Sequence, residues 1–196
     1  MRLLHLFIAI LLFAAAILNR AEAAPSIVVS VPDQTLALID HGTVTARFPV
    51  STSRFGVGDN PGSYATPLGS LEIASKIGAN APLGTVFKSR RPTGEILPPN
   101  ARGRDPIVTR ILWLRGLEKG NARAYSRAIY IHGTPVENLI GRPASYGCIR
   151  MRSRDVARLF SAVNVGTKID VSNAHLGRAL AQHALSNSQL PRLASN

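Results

Sequence analysis

Cysteine is nearly missing. The chain of 196 residues contains one, Cys148. A disulfide within the chain is therefore excluded, which leaves Cys148 as either a small buried hydrophobe or a reactive thiol. Acidic residues are scarce as well, 11 Asp+Glu against 23 Lys+Arg, for a formal net charge of +12. Such a surplus attracts anionic partners: nucleic acid, membrane headgroups or an anionic envelope polymer. Charged residues make up only 17% of the chain and hydrophobic ones 45%, which excludes a disordered polymer and permits a real core. Internal repeats, heptads and a second domain are not found. The length suits one domain with extensions.

Long apolar runs are also missing, with one exception. After Arg2, the stretch from Leu3 to Leu18 is apolar except for His5, and Ala21-Glu22-Ala23 follows. A positive start, an apolar middle and a small-residue exit describe a secretory signal peptide over residues 1–23. The run is short for a bilayer span, so a retained anchor is the lesser alternative. Removing residues 1–23 takes away Arg2, Arg20 and Glu22 and leaves a charge of +11. Export makes nucleic acid a poor partner and an envelope polymer a better one, with the Gram-negative periplasm as the expected location. It also sharpens the cysteine question, because a lone cysteine in an oxidising compartment is a reactive thiol or an intermolecular partner.

From Ser26 onward the texture predicts strands. "SIVVSVPDQTLALID" gives two β-rich runs around Pro32-Asp33-Gln34, and "HGTVTARFPVSTS" follows a second turn at Asp40-His41-Gly42. Residues 54–70 read as a long loop holding "ATPLGSLEI", which leads into a short strand. Residues 77–106 read as loop, "PIVTRILWLRGLE" as one or two strands and "RAIYIHG" as another. Then the period changes. Val156, Leu159, Phe160 and Val163 recur at helical spacing, with Ser153 as the expected N-cap, Asp155 in the first turn and Gly166 marking the end. "TKIDV" closes as a strand. The expected organisation is a mostly β domain over residues 25–172 and a basic tail over 173–196, with a short helix near 174–186.

Cys148 lies just upstream of the predicted helix and follows Gly147, with Arg150 and Arg152 nearby. Free backbone N–H groups and cationic charge are expected to lower its pKa. A thiol nucleophile needs a base. Of five histidines, His5 lies in the leader, His41 in a turn, and His175 and His183 in the tail. That leaves His132 at a strand end in "IYIHGTP". The bland alternative is a satisfied structural histidine beside an inert cysteine. No metal site is expected, since one Cys and one His lack further ligands at characteristic spacing. Trp113, Tyr130 and Phe55 are expected to pack in the core rather than to line a groove.

The stretch "HGTPVENLIGRPASYGCIRMRSRDVARLF" resembles the active-site signature of the L,D-transpeptidase (YkuD-type) catalytic domain family, and "ATPLGSLEI" resembles its Thr-Pro-x-Gly segment. The resemblance spans roughly residues 26–172. It implies a β-sandwich or barrel-like catalytic fold with one short helix after the cysteine. It also implies a cofactor-free acyl transfer on peptidoglycan stem peptides. By this resemblance Cys148 is the nucleophile that forms a thioester, and His132 is the general base. The Gly133 carbonyl orients the His132 ring. Backbone N–H groups of Tyr146, Gly147 and Cys148 hold the oxyanion. Arg150, Ser145 and Arg142 help to shape the site or bind substrate carboxylates. Tyr146 departs from the family, whose commonest residue at this position is His. By the same resemblance the acceptor is a stem amine, giving a cross-link, with water or a lysine of an envelope protein as the alternatives. A non-catalytic wall-binding module is the rival from another class, and a thiol redox protein is disfavoured because no second cysteine resolves it.

Overall fold

The computed structural model describes residues 24–193, with side chains to Ser188. The leader expected over residues 1–23 lies outside the described residues. Among the described residues ten strands and two α-helices follow in the order β1 (Ser26–Ser30), β2 (Thr35–Asp40), β3 (Thr43–Pro49), β4 (Gly69–Ile77), β5 (Thr85–Lys88), β6 (Arg91–Ile96), β7 (Ile107–Gly116), β8 (Tyr130–Gly133), β9 (Ile149–Met151), α1 (Ser153–Ala162), β10 (Lys168–Ser172) and α2 (Leu176–Leu193).

The strands form one sheet in the order β3-β2-β1-β10-β4-β7, with β5-β6 and β8-β9 both attached to β7. Just past β3, Ser51 exchanges two 2.9 Å backbone hydrogen bonds with Arg150 of β9. The path from β3 through β7 and β8 to β9 therefore meets itself, and the sheet curls into a barrel-like fold. Closure covers the edge beyond β3, while β6, paired only with β5, stays an exposed edge.

Alternation decides what lies inside. Ile27, Val29, Leu36, Leu112, Leu114, Ile131, Ile169 and Val171 point to one face and are fully or almost fully buried. Helix α1 closes this core with Val156, Leu159 and Phe160, the helical-period residues of the sequence. Strand β1 is buried along its whole length because both of its faces are covered. Val28 faces outward against Ile39 and Ala179 of α2.

Helix α2 is longer than the expected 174–186 and is bound by polar contacts as well as apolar ones. The Asp33 carboxylate accepts the Leu176 N–H at 2.6 Å, which holds its pKa below the ordinary value and caps the helix. Further along, buried His183 bonds Asp170 Oδ2 through Nδ1 (2.5 Å) and Ser26 Oγ through Nε2 (2.9 Å). Among the described helices none is long and apolar enough to cross a membrane.

Two local expectations are corrected. Residues 77–106 hold the hairpin β5–β6, which composition hid because Pro92 and Gly94 interrupt an exposed strand. The N-cap of α1 is Arg152 rather than Ser153, with no side-chain cap bond. The Ser153 N–H instead donates to Glu137 Oε1 at 2.8 Å, a carboxylate brought from 16 residues upstream.

Candidate active site

The candidate residues lie on the barrel face opposite to the core. Within β8, Ile131 points inward, so Tyr130 and His132 point outward together. On β7 the same alternation puts Ile111 and Trp113 outside. Strand β9 runs parallel to β8, with Ile131 opposite Ile149 and His132 opposite Arg150. Cys148 therefore stands level with Tyr130, and it packs against the cluster of Phe87, Ile111 and Tyr130, as Trp113 also does. His132 is the diagonal neighbour on the adjacent strand, a spacing that side chains on one face can bridge.

Hydrogen bonds fix both groups. The Tyr130 N–H donates to Cys148 Sγ at 3.4 Å, and the thiol reaches the Ala128 carbonyl at 3.5 Å. His132 Nδ1 lies 2.8 Å from the carbonyl oxygen of Gly133. A carbonyl only accepts, so Nδ1 carries the proton and Nε2 keeps its lone pair. Gly133 is glycine for space rather than for backbone angle. A Cβ there would lie 2.6 Å from the Val108 carbonyl oxygen and 3.2 Å from Val156 Cγ1. That close approach follows from a bulge in β7, where the register with β8 shifts between Val108 and Ile111. Thr109, inside the bulge, has φ +71, a costly conformation for a β-branched residue. Its hydroxyl is held by Ser153 Oγ at 2.8 Å and the Gly84 N–H at 2.9 Å.

The electrostatics differ from the expectation for the thiol. Burial pushes the Cys148 thiol up to about 11, and the Tyr130 N–H, Arg127 and Arg150 offset this only in part. Removing a thiolate from water outweighs cations that are themselves neutralised. The helix start does not help, because β9 separates Cys148 from α1 and Glu137 takes the Ser153 N–H. Burial also lowers His132 to about 4, against a smaller upward push from the Gly133 carbonyl and Asp105. The resting pair is thus a neutral thiol and a neutral imidazole.

The arginines are sorted by their partners. Arg150 is 4% exposed, paired with Asp105 and within 3.4 Å of Ser51 Oγ. A carboxylate partner for its guanidinium is thus already supplied within the chain. Its Nε is the buried side-chain polar atom without a partner among the described residues. Arg127 is bound to Asp59 Oδ1 (2.7 Å) and to the Ala65 carbonyl (2.7 Å), which clamps the 54–68 loop beside the thiol. Arg142 is exposed, and its carbonyl accepts from Ser51 Oγ.

Ser145 is 2% exposed and works on the loop: its hydroxyl donates to the Cys148 carbonyl at 2.5 Å and accepts the Gly147 N–H at 3.2 Å. The Gly147 N–H therefore has a partner within the loop. No acceptor among the described residues takes the Tyr146 or Cys148 N–H. Gly147 has φ +117 and sits against Ile129 and the Ala65 carbonyl, a place a side chain would not fit.

Tyr146 is 58% exposed and packs with Phe55 and Tyr64, at ring distances of 5.3 and 5.8 Å, under the guanidinium of Arg54. Phe55 is 48% exposed, so its expected place in the core is corrected; Tyr130 is buried as expected, and Trp113 is partly exposed. Asp105, Asp59, Arg127 and Arg54 were not identified from the sequence. Asp59 and Arg127 are 68 residues apart and leave no local signal. Among the described residues no three His, Cys, Asp or Glu side chains converge as a metal site.

The family model of the L,D-transpeptidase catalytic domain, named YkuD, matches residues 24–171. The chain belongs to the L,D-transpeptidase family. A segment of 50 residues is 44% identical to the YcfS protein of Escherichia coli K12, and one of 80 residues is 39% identical to the YkuD protein of Bacillus licheniformis. Both relatives are named as candidate L,D-transpeptidases. These segments cover 26% and 40% of this chain, but only 16% and 48% of the relatives. The fold matches an L,D-transpeptidase of Mycobacterium tuberculosis H37Rv (TM-score 0.51, 20% identity, 76% of this chain and 57% of that one). It also matches an L,D-transpeptidase of Xylanimonas cellulosilytica (TM-score 0.51, 16% identity, 79% and 63%). At these identities the structures speak for the L,D-transpeptidase fold alone.

Proposed function

We propose that this protein is an exported L,D-transpeptidase that remodels peptidoglycan stem peptides through a thioester on Cys148, in the periplasm. The observation that carries the reading is the placement of His132: Nδ1 is pinned by the Gly133 carbonyl at 2.8 Å, on the strand beside the one that follows Cys148. That leaves Nε2 as the proton acceptor on the outward face that holds the thiol.

The chemistry follows from the neutral pair. Cys148 Sγ attacks the carbonyl between the L-centre of diaminopimelate and the following D-alanine, while its proton passes to His132 Nε2. The Tyr146 and Cys148 N–H groups are the available donors for the oxyanion. The carbon–nitrogen bond breaks, the proton on Nε2 goes to the departing amine, and D-alanine leaves. An amine of a second stem then gives a proton to Nε2, attacks the thioester and restores the thiol. The broken peptide bond supplies the energy, so no cofactor enters. A stem amine as acceptor gives a cross-link, water gives carboxypeptidase action, and a lysine of an envelope protein gives anchoring.

Residues 24–196 and the Cys148→Ala variant, each incubated with a disaccharide-tetrapeptide, test this by mass spectrometry. Released D-alanine and cross-linked dimer from the wild type alone are expected. An untouched substrate in both, with no transfer to a protein lysine, overturns the enzymatic reading in favour of a wall-binding module.

A further inference from the structure

Two arginines act on Cys148, and a third, Arg90, lies on the aromatic cluster against which the thiol packs. Arg150 is paired with Asp105 and Arg127 with Asp59. Arg90 has no acidic partner within 4 Å among the described residues. It is exposed, yet it is not loose: its guanidinium lies 4.4 Å from the centre of the Trp113 ring, and one of its nitrogens donates to the Tyr130 hydroxyl at 3.2 Å. Trp113 is itself stacked flat on Tyr125 at 4.0 Å, and its ring nitrogen donates to the Tyr125 carbonyl at 3.1 Å. The platform is therefore rigid.

The backbone points the same way. Arg90 and Ser89 form the two-residue tip of hairpin β5–β6, with φ +66 and +49. A turn of this kind prefers glycine and asparagine at such angles, and here it holds two other residues. The strain delivers the guanidinium onto Trp113 and Tyr130. Both rings pack in the cluster that holds Cys148, and the Tyr130 N–H is the donor to its sulfur. A guanidinium stacked on an aromatic face keeps its N–H edge open, and that edge suits a carboxylate held by two parallel bonds.

We propose that Arg90, braced by Trp113 and Tyr130, is the specificity-determining residue that binds a carboxylate beside the scissile bond of the donor stem peptide. This rests on the function proposed above and goes further by naming the group recognised. Two carboxylates on the residues that flank the scissile bond have this chemistry, one on the diaminopimelate side chain and one on the terminal D-alanine. Arg142 and Arg150, the candidates read from the sequence, do not fill the role: Arg150 already has Asp105, and Arg142 has no aromatic brace.

Trp113 is the single tryptophan of the chain, so its fluorescence reports on this site directly. The full chain carrying Cys148→Ala, which cannot turn over, is titrated with the disaccharide-tetrapeptide and with two carboxamides of it, one at each of these two carboxylates. The expected result is a change in Trp113 emission and a Kd at least about tenfold weaker for one carboxamide, which identifies the carboxylate recognised. Adding Arg90→Gln should erase that difference, and Arg90→Lys should restore only part of it. Equal affinities for all three ligands, a difference that survives Arg90→Gln, or no binding at all overturns the proposal. Turnover by the otherwise unaltered chain is measured alongside. Selective binding without turnover leaves the Arg90 assignment standing and removes the enzymatic reading; turnover without selectivity does the reverse.

Discussion

The Nδ1 atom of His132 lies 2.8 Å from the carbonyl oxygen of Gly133, its own successor in the chain. A backbone carbonyl thus sits where many catalytic histidines have a carboxylate. It cannot be protonated and brings no full charge, so it fixes the tautomer while leaving the imidazole weakly basic. Burial then lowers that basicity further, to about 4.

The thiol should be sluggish toward simple electrophiles. With its pKa near 11, the thiolate fraction at neutral pH is about two orders of magnitude below that of a free cysteine. Iodoacetamide alkylation of Cys148, followed by mass spectrometry, should be correspondingly slow at pH 7 and rise with pH beyond 9. Rapid alkylation with a plateau near pH 7 would show a preformed thiolate and sink the neutral-pair mechanism.

His132 should make the fold acid-sensitive. Its folded pKa lies below its unfolded value of about 6.5, so the unfolded chain binds more protons between those values. This contribution is fully present above pH 6.5 and is lost as pH falls toward 4, by up to about 3 kcal/mol. Thermal melts from pH 7.5 to 4 should show a steeper decline for the wild type than for His132→Gln. Parallel curves would mean that the imidazole charges without penalty.

Breaking the Arg150 pair should cost stability. Asp105→Asn leaves a nearly buried guanidinium without its anion. Loss of a buried pair costs about 3–5 kcal/mol, and the partial exposure of Asp105 reduces this to about 2–3 kcal/mol. Urea denaturation should show a lowered midpoint with an unchanged slope. A midpoint equal to the wild type would mean that water already compensates the charge.

Helix α2 should stabilise the barrel from outside without touching the chemistry. His183→Ala removes the partner of Asp170 and Ser26 in a buried place, at about 1–3 kcal/mol. The melting temperature should fall by several degrees. Turnover per folded molecule at low temperature should match the wild type, and a parallel loss of turnover would tie α2 to the site.

Much of the fold was legible in the sequence because its causes are local. Alternation in "SIVVS" and "TLALID" marks strands, and the spacing of Val156, Leu159 and Phe160 marks α1. The hairpin β5–β6 was not legible, since its residues are held by pairing with β7 rather than by any apolar pattern of their own. Cys148 and His132 stood out as candidates because one cysteine and one histidine at a strand end are local facts as well.

The sequence by itself determined a β-rich chain with one helix behind a lone cysteine, and the residues from which a thiol chemistry could be built. Only the tertiary structure decided the charge states and the partners. Desolvation depends on everything that surrounds a group, so the cations near Cys148 in the chain did not predict a raised thiol pKa. Partner choice depends on closure of the sheet: it brought Asp105 to Arg150 and Asp59 to Arg127, and it left Arg90 on the Trp113 ring and the Tyr130 hydroxyl.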